Sequence, residues 1–125
     1  MRGVVSMAKK ANRTPSEEKY LKIKRTKIFK DIKKDLEEQL EINGVFGQFY
    51  SDLIADYMEL WVTKTLLQED IQLRGVSVEY NNGGGQTGRK KNESVDQLLK
   101  VNAQMLKILS DLGIKTTTAG EVDDL

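Results

Sequence analysis

Phe46–Arg74, FGQFYSDLIADYMELWVTKTLLQEDIQLR, is the stretch whose reading decides the fold. It holds Phe46 and Phe49 of the three Phe, Tyr50 and Tyr57 of the four Tyr, and the single Trp, Trp61. Phe46, Tyr50, Leu53, Tyr57, Trp61, Leu67 and Ile71 recur mostly at steps of three and four, the period of one face of an α-helix. A second apolar set, Phe49, Ile54, Met58, Leu60, Leu66 and Leu73, lies off that stripe. A helix apolar on more than one side is buried on more than one side, and in so small a chain one side is expected to meet another subunit. Phe49, Tyr50, Leu53, Tyr57, Leu60, Trp61 and Leu67 are the residues expected at that contact between copies.

Upstream, Asn43-Gly44 supplies a helix stop and a tight turn. The preceding helical pattern carries Ile28, Ile32, Leu36 and Leu40 at every fourth residue. It opens at Thr14-Pro15-Ser16-Glu17, where Thr14 is a candidate N-cap, Pro15 fits the first helical position and Glu17 completes a capping box. One helix from there to Ile42, or two shorter ones broken around Lys22–Lys27, both fit the pattern. Either way the short turn makes an antiparallel helical hairpin with the central helix.

Downstream, Gly75 stops the central helix, and Val76–Tyr80 alternates apolar and polar residues as a strand does. Asn81–Gly85, NNGGG, is turn chemistry, and Gln86–Lys91 is the expected returning strand. An isolated hairpin is marginal in water, so this one must pack on helices or on a neighbouring chain. Asn92 or Ser94 caps a further helix with the stripe Val95, Leu98, Leu99, Met105, Leu106, Leu109 and Leu112, ended by Gly113. The expected fold is mainly α: an antiparallel helical hairpin, a small β-hairpin near 76–91 and a third helix, with a basic arm over 1–13 and an acidic tail over 114–125. The arm is expected to be flexible. The tail reads as a disordered end or as a peptide for a partner protein.

At 125 residues the chain is one domain with a modest core. It has no cysteine, hence no disulfide and no thiolate metal site, and no histidine, the commonest general base. No apolar run reaches the length of a membrane span, so no membrane partner is expected. The net charge of +1 hides an asymmetry. Residues 1–34 hold twelve Lys and Arg against three acids, a balance of +9; the remainder holds eight against sixteen, −8. A basic arm and a Lys-rich helix neutralise phosphates without reading bases. The residues expected to contact DNA are Lys9, Lys10, Arg13, Lys22, Lys24, Arg25, Lys27 and Lys30. A solvated charged face is the plainer alternative.

Gly83–Lys90, GGGQTGRK, falls short of a phosphate-binding loop, because Arg89 and Lys90 displace the required Lys and hydroxyl. Asp52/Asp56 and Glu37/Glu41 stand at helical spacing but lack a third convergent ligand, so they read as solvated faces. No nucleophile is set beside a base. No enzymatic activity, metal or cofactor is expected.

Over roughly Lys27–Gly113 the order of parts resembles the phage terminase small subunits. The resemblance is carried by Ile28–Leu40, Tyr57 and Trp61, Leu73-Arg74-Gly75-Val76, Asn81–Gly85, Lys91-Asn92, Gln104–Leu109 and Leu112-Gly113. The chain departs from the family pattern at Glu93, where Pro is common, and at Thr116–Thr118. The resemblance implies a ring-forming homo-oligomer without catalytic activity, acting in the cytoplasm of an infected or lysogenic bacterial host. It implies double-stranded viral DNA and the large terminase subunit as partners. A small helical transcription regulator and a structural adaptor without a DNA role are the competing classes. A ring favours packaging, whereas a twofold dimer presenting recognition helices favours regulation.

Overall fold

The computed structural model describes residues 12–114, the side chain of Asn82 excepted. The order is α1 (Pro15–Lys24), α2 (Lys27–Ile42), α3 (Gln48–Arg74), β1 (Ser77–Gly83), β2 (Gln86–Lys91) and α4 (Glu93–Asp111). The chain is thus mainly helical with one small antiparallel hairpin, as expected. The arm and tail, with Lys9 and Lys10, lie outside the described residues except for Asn12, Arg13 and Ile114.

Thr14 builds the expected capping box. Its Oγ1 accepts from the Glu17 amide at 3.1 Å, and the Glu17 carboxylate accepts from the Thr14 amide at 3.2 Å. Of the two arrangements open in the sequence, the broken one is found. Thr26 turns extended (φ −70°, ψ 152°), accepts from the Phe29 amide at 3.3 Å and donates to the Ile23 carbonyl at 2.7 Å. One hydroxyl thereby ends α1 and starts α2.

Leu36 and Leu40 of α2 are buried, whereas Ile28 of the same row is 58% exposed. A four-residue repeat advances about 40° per step around a helix, so three steps carry the row off the core. α2 ends in a Schellman turn. Val45 N–H bonds the Leu40 carbonyl at 2.9 Å, Gly44 N–H bonds the Glu41 carbonyl at 3.0 Å, and Gly44 takes φ +71°. Val45 then packs on the core.

α3 and α2 run antiparallel across this turn, and α4 returns along α3. Leu36, Leu40, Ile54, Met58, Ile108 and Leu112 form the buried cluster where α2, α3 and α4 meet. Val62 and Met105 are buried as well. The α3–α4 pair makes the most extensive helix contact.

In the hairpin, Ser77 pairs with Lys91 and Tyr80 with Gly88, and the register becomes irregular between Asn81 and Gly83. The expected five-residue turn narrows to Gly84-Gly85 because Asn81–Gly83 continue β1. Both turn glycines have positive φ, +59° and +82°, the pattern of a type I′ turn that matches strand twist. Beyond its base the ribbon has little contact with the helices.

Candidate nucleic-acid interface

The cations of α1 and α2 divide by what they already hold. Lys19 is paired with Glu69 and Lys24 with Glu59, both across to α3. Lys24 also lies 4.7 Å from the centre of the Tyr20 ring. Arg13 stands 3.5 Å from Glu18. Lys27 donates to Asp31 at 2.6 Å, which holds its pKa above the usual lysine value. Lys34 pairs with Glu38. Among the described residues, Lys22, Arg25, Lys30 and Lys33 are exposed and make no ion pair.

Lys19, Lys22 and Arg25 share a groove of about 610 Å³ with Ile23 and Thr26, walled by Glu18 and Glu69. Helical spacing brings 19 and 22 to one face, and the Thr26 break adds Arg25 at the elbow. Lys30 follows along α2. The expected DNA-contact residues are therefore of two kinds: Lys22, Arg25 and Lys30 face solvent unpaired, whereas Arg13, Lys24 and Lys27 lie against carboxylates.

Two of the three cations at the hairpin's basic end are engaged within the fold, and Lys90 is exposed without an ion pair among the described residues. Arg89 donates to the Ser77 carbonyl at 2.9 Å and to its hydroxyl at 3.2 Å. Lys91 pairs with Asp96 at 2.9 Å.

The residues proposed for contact between copies divide as well. Phe49 is 67% exposed. Tyr50, Leu53, Tyr57, Leu60 and Trp61 are half-buried and pack on the chain's own core, Trp61 edge-on to Phe29 at 5.9 Å. Burial raises the Tyr57 pKa. Leu67 is half-buried. The largest apolar exposure at the α2–α3 turn belongs to Ile42, Phe46 and Phe49, at 77%, 74% and 67%. Leu73 and Val76 are similarly exposed at the hairpin base, as are Leu99 and Leu106 on α4.

One constellation escaped sequence reasoning. Asp70 and Arg74 of α3 meet Asn92 and Ser94 at the start of α4. Asn92 is wholly buried. Its Nδ2 donates to Asp70 at 3.1 Å and to the Gly75 carbonyl at 2.9 Å, and its Oδ1 accepts from the Ser94 amide at 3.0 Å and from Arg74 at 3.1 Å. Its own amide bonds the Val76 carbonyl at 2.8 Å. Asp70 takes two further bonds from Arg74 and one, at 2.7 Å, from the Ser94 hydroxyl. The Arg74 guanidinium, then the Ser94 hydroxyl, hold the Asp70 carboxyl well below the ordinary range; Asp70 in turn raises Arg74. This joint fixes the hairpin base between two helices. An Arg-Gly helix end and an Asn before the next helix were its only sequence signals. Glu93 occupies the first helical position of α4, where Pro is equally at home.

The model of the family described as phage terminase, small subunit matches residues 26–122. No curated protein and no solved structure matches the chain. The matched range begins at Thr26, the α2 cap, and takes in both sides of the Asp70–Asn92 joint.

Proposed function

The chain belongs to the phage terminase small subunit family, a family of phage DNA packaging, and on that premise we propose that it binds viral duplex DNA as a non-enzymatic homo-oligomer that recruits or regulates the large terminase subunit. The observation that carries DNA binding is that four exposed cations of this one segment, Lys22, Arg25, Lys30 and Lys33, have no carboxylate partner among the described residues and lie on consecutive helices and their joint at Thr26. Such cations release counterions from a phosphate backbone irrespective of sequence. Lys9 and Lys10 add to this site, and Arg13, Lys24 and Lys27 join it by exchanging a carboxylate for a phosphate. Copies associate through Phe49 and the α3 surface running from Tyr50 to Leu67, extended by Ile42 and Phe46. A neighbouring copy also covers the hairpin, whose ribbon has little helix packing of its own. In this reading the acidic tail over 114–125 engages the large subunit. Ring-shaped assembly multiplies the weak phosphate contacts of each copy.

The deciding experiment is fluorescence anisotropy with duplex DNA over a salt series. The variant combining Lys22→Gln, Arg25→Gln, Lys30→Gln and Lys33→Gln is expected to bind many sequences more weakly and to flatten the dependence of log K on log salt. Affinity and slope equal to those of the parent would refute the assignment.

A further inference from the structure

α1 is tied to α3 chiefly by Lys19–Glu69 and Lys24–Glu59. Each of these four side chains keeps between 31% and 50% of its surface exposed, so salt and competing anions reach both pairs. Little apolar burial assists them. α1 has no buried residue, and Tyr20 and Leu21 border an open trough of about 720 Å³ against Leu66. The break at Arg25–Thr26 gives α1 a pivot, since the Thr26 hydroxyl caps α2 and all six residues of the core cluster lie beyond it.

We propose that α1 is an electrostatic latch: Glu59 and Glu69 hold Lys24 and Lys19 in the free subunit, and the phosphates of a duplex entering at Lys22 and Arg25 take over both lysines and release α1 from α3. The groove supplies the order of events. Lys22 and Arg25 stand unpaired beside Lys19, with Glu69 on the same wall. Phosphates drawn to those two cations are repelled by Glu59 and Glu69 while α1 stays docked. Opening separates the like charges and leaves four cations of one segment, Lys19, Lys22, Lys24 and Arg25, facing phosphate. The carboxylates thus restrain binding to weaker polyanions and shorter duplexes.

This inference rests on the DNA-binding reading, and its test separates the two. Duplex DNA is titrated into the parent chain, into Glu59→Gln/Glu69→Gln, and into Glu37→Gln/Glu41→Gln, which removes equal charge from exposed residues of α2. The first pair is expected to tighten binding roughly three- to tenfold, the range that two surface ion pairs can hold, and clearly more than the α2 control. Zero-length carbodiimide coupling, mapped by mass spectrometry, reads the latch directly. The Lys19–Glu69 and Lys24–Glu59 amides are expected to form in the free protein and to decline on saturation with DNA, while the Lys91–Asp96 amide persists. If the parent binds no DNA, both the DNA reading and the latch fall. If it binds but the two Gln pairs act alike, or the α1–α3 amides form undiminished on DNA, the latch alone is overturned.

Discussion

Asn92 donates a 3.1 Å hydrogen bond from Nδ2 to Asp70 Oδ2, joining the start of α4 to the last turn of α3 across the hairpin. Asn92 is at once helix cap, donor to Gly75 and acceptor for Arg74. Asn92→Ala is expected to destabilise the fold by about 2–4 kcal/mol, combining a lost cap with buried partners left unpaired. Asn92→Asp keeps the capping oxygen but sets a carboxylate against Asp70. It should be at least as damaging at pH 7 and should recover in part as the pH falls. Urea unfolding at pH 7 and pH 4 measures both; an Asp variant as stable as the parent at pH 7 would contradict the joint.

Asp70 makes stability depend on pH in a definite direction. Its folded pKa is depressed, first by Arg74 and then by Ser94. A carboxylate of this kind contributes fully above its unfolded pKa, about 4. The contribution is lost as pH falls through the lower folded value. Asp70→Asn should therefore be less stable than the parent at pH 7, with the gap closing below about pH 4. A gap constant from neutral to strongly acidic pH would count against the arrangement.

Assembly offers a contrast between a pair of substitutions at the α2–α3 turn and a single one within α3. Phe46→Glu with Phe49→Glu changes side chains that are mostly in solvent, so folding should survive while the oligomer dissociates. Leu60→Glu enters a half-buried site against the core and should lower the melting temperature as well. Native mass spectrometry with circular dichroism separates the two effects. An unmodified protein that is only monomeric would end the assembly proposal.

Neutralising Arg89, Lys90 and Lys91 together should weaken DNA binding less than the four-cation variant of α1 and α2. Arg89 and Lys91 are already held by Ser77 and Asp96. In the salt series, each phosphate contact truly lost lowers the slope by about 0.9. A larger loss from the hairpin variant would move the DNA site to the ribbon.

Gly88 carries the ring of Tyr80. A Cβ at this position would lie 2.8 Å from the Tyr80 hydroxyl oxygen. Gly88→Ala should displace the ring and speed amide exchange in the hairpin, whereas the same change beside Tyr80→Ala should have little further effect. Equal effects in both backgrounds would show that the ring is not what constrains this glycine.

Much of the fold was legible because its signals are local. Thr14 and Glu17, Asn43-Gly44, Gly75 and Gly113 act on backbone groups a few residues away. The break at Thr26 stayed open because threonine caps helices yet also sits within them. The core side of α3 was less legible, since apolar residues surround that helix. Ile54, Met58 and Val62 are buried, while Tyr50, Tyr57 and Trp61 occupy the margin. The basic segment was plain from composition, but pairing across space was not: nothing in the sequence sets Lys19 against Glu69 or Lys24 against Glu59. The Asp70–Asn92 joint was hidden for the same reason, as Asp70 with Arg74 reads like any surface pair four residues apart.

The two long helices are matched rulers. Ile54 in the core and Asp70 in the joint are sixteen positions apart on α3, and Asn92 and Ile108 are sixteen apart on α4. At helical rise each interval is about 24 Å. A residue gained or lost within either interval would shift one mark by about 1.5 Å and turn it through about 100°, so that core and joint could not both close. Length changes are therefore excluded from these two intervals unless both helices change together, whereas the Asn43–Gly47 turn and the Gly84-Gly85 tip lie outside both and can absorb them.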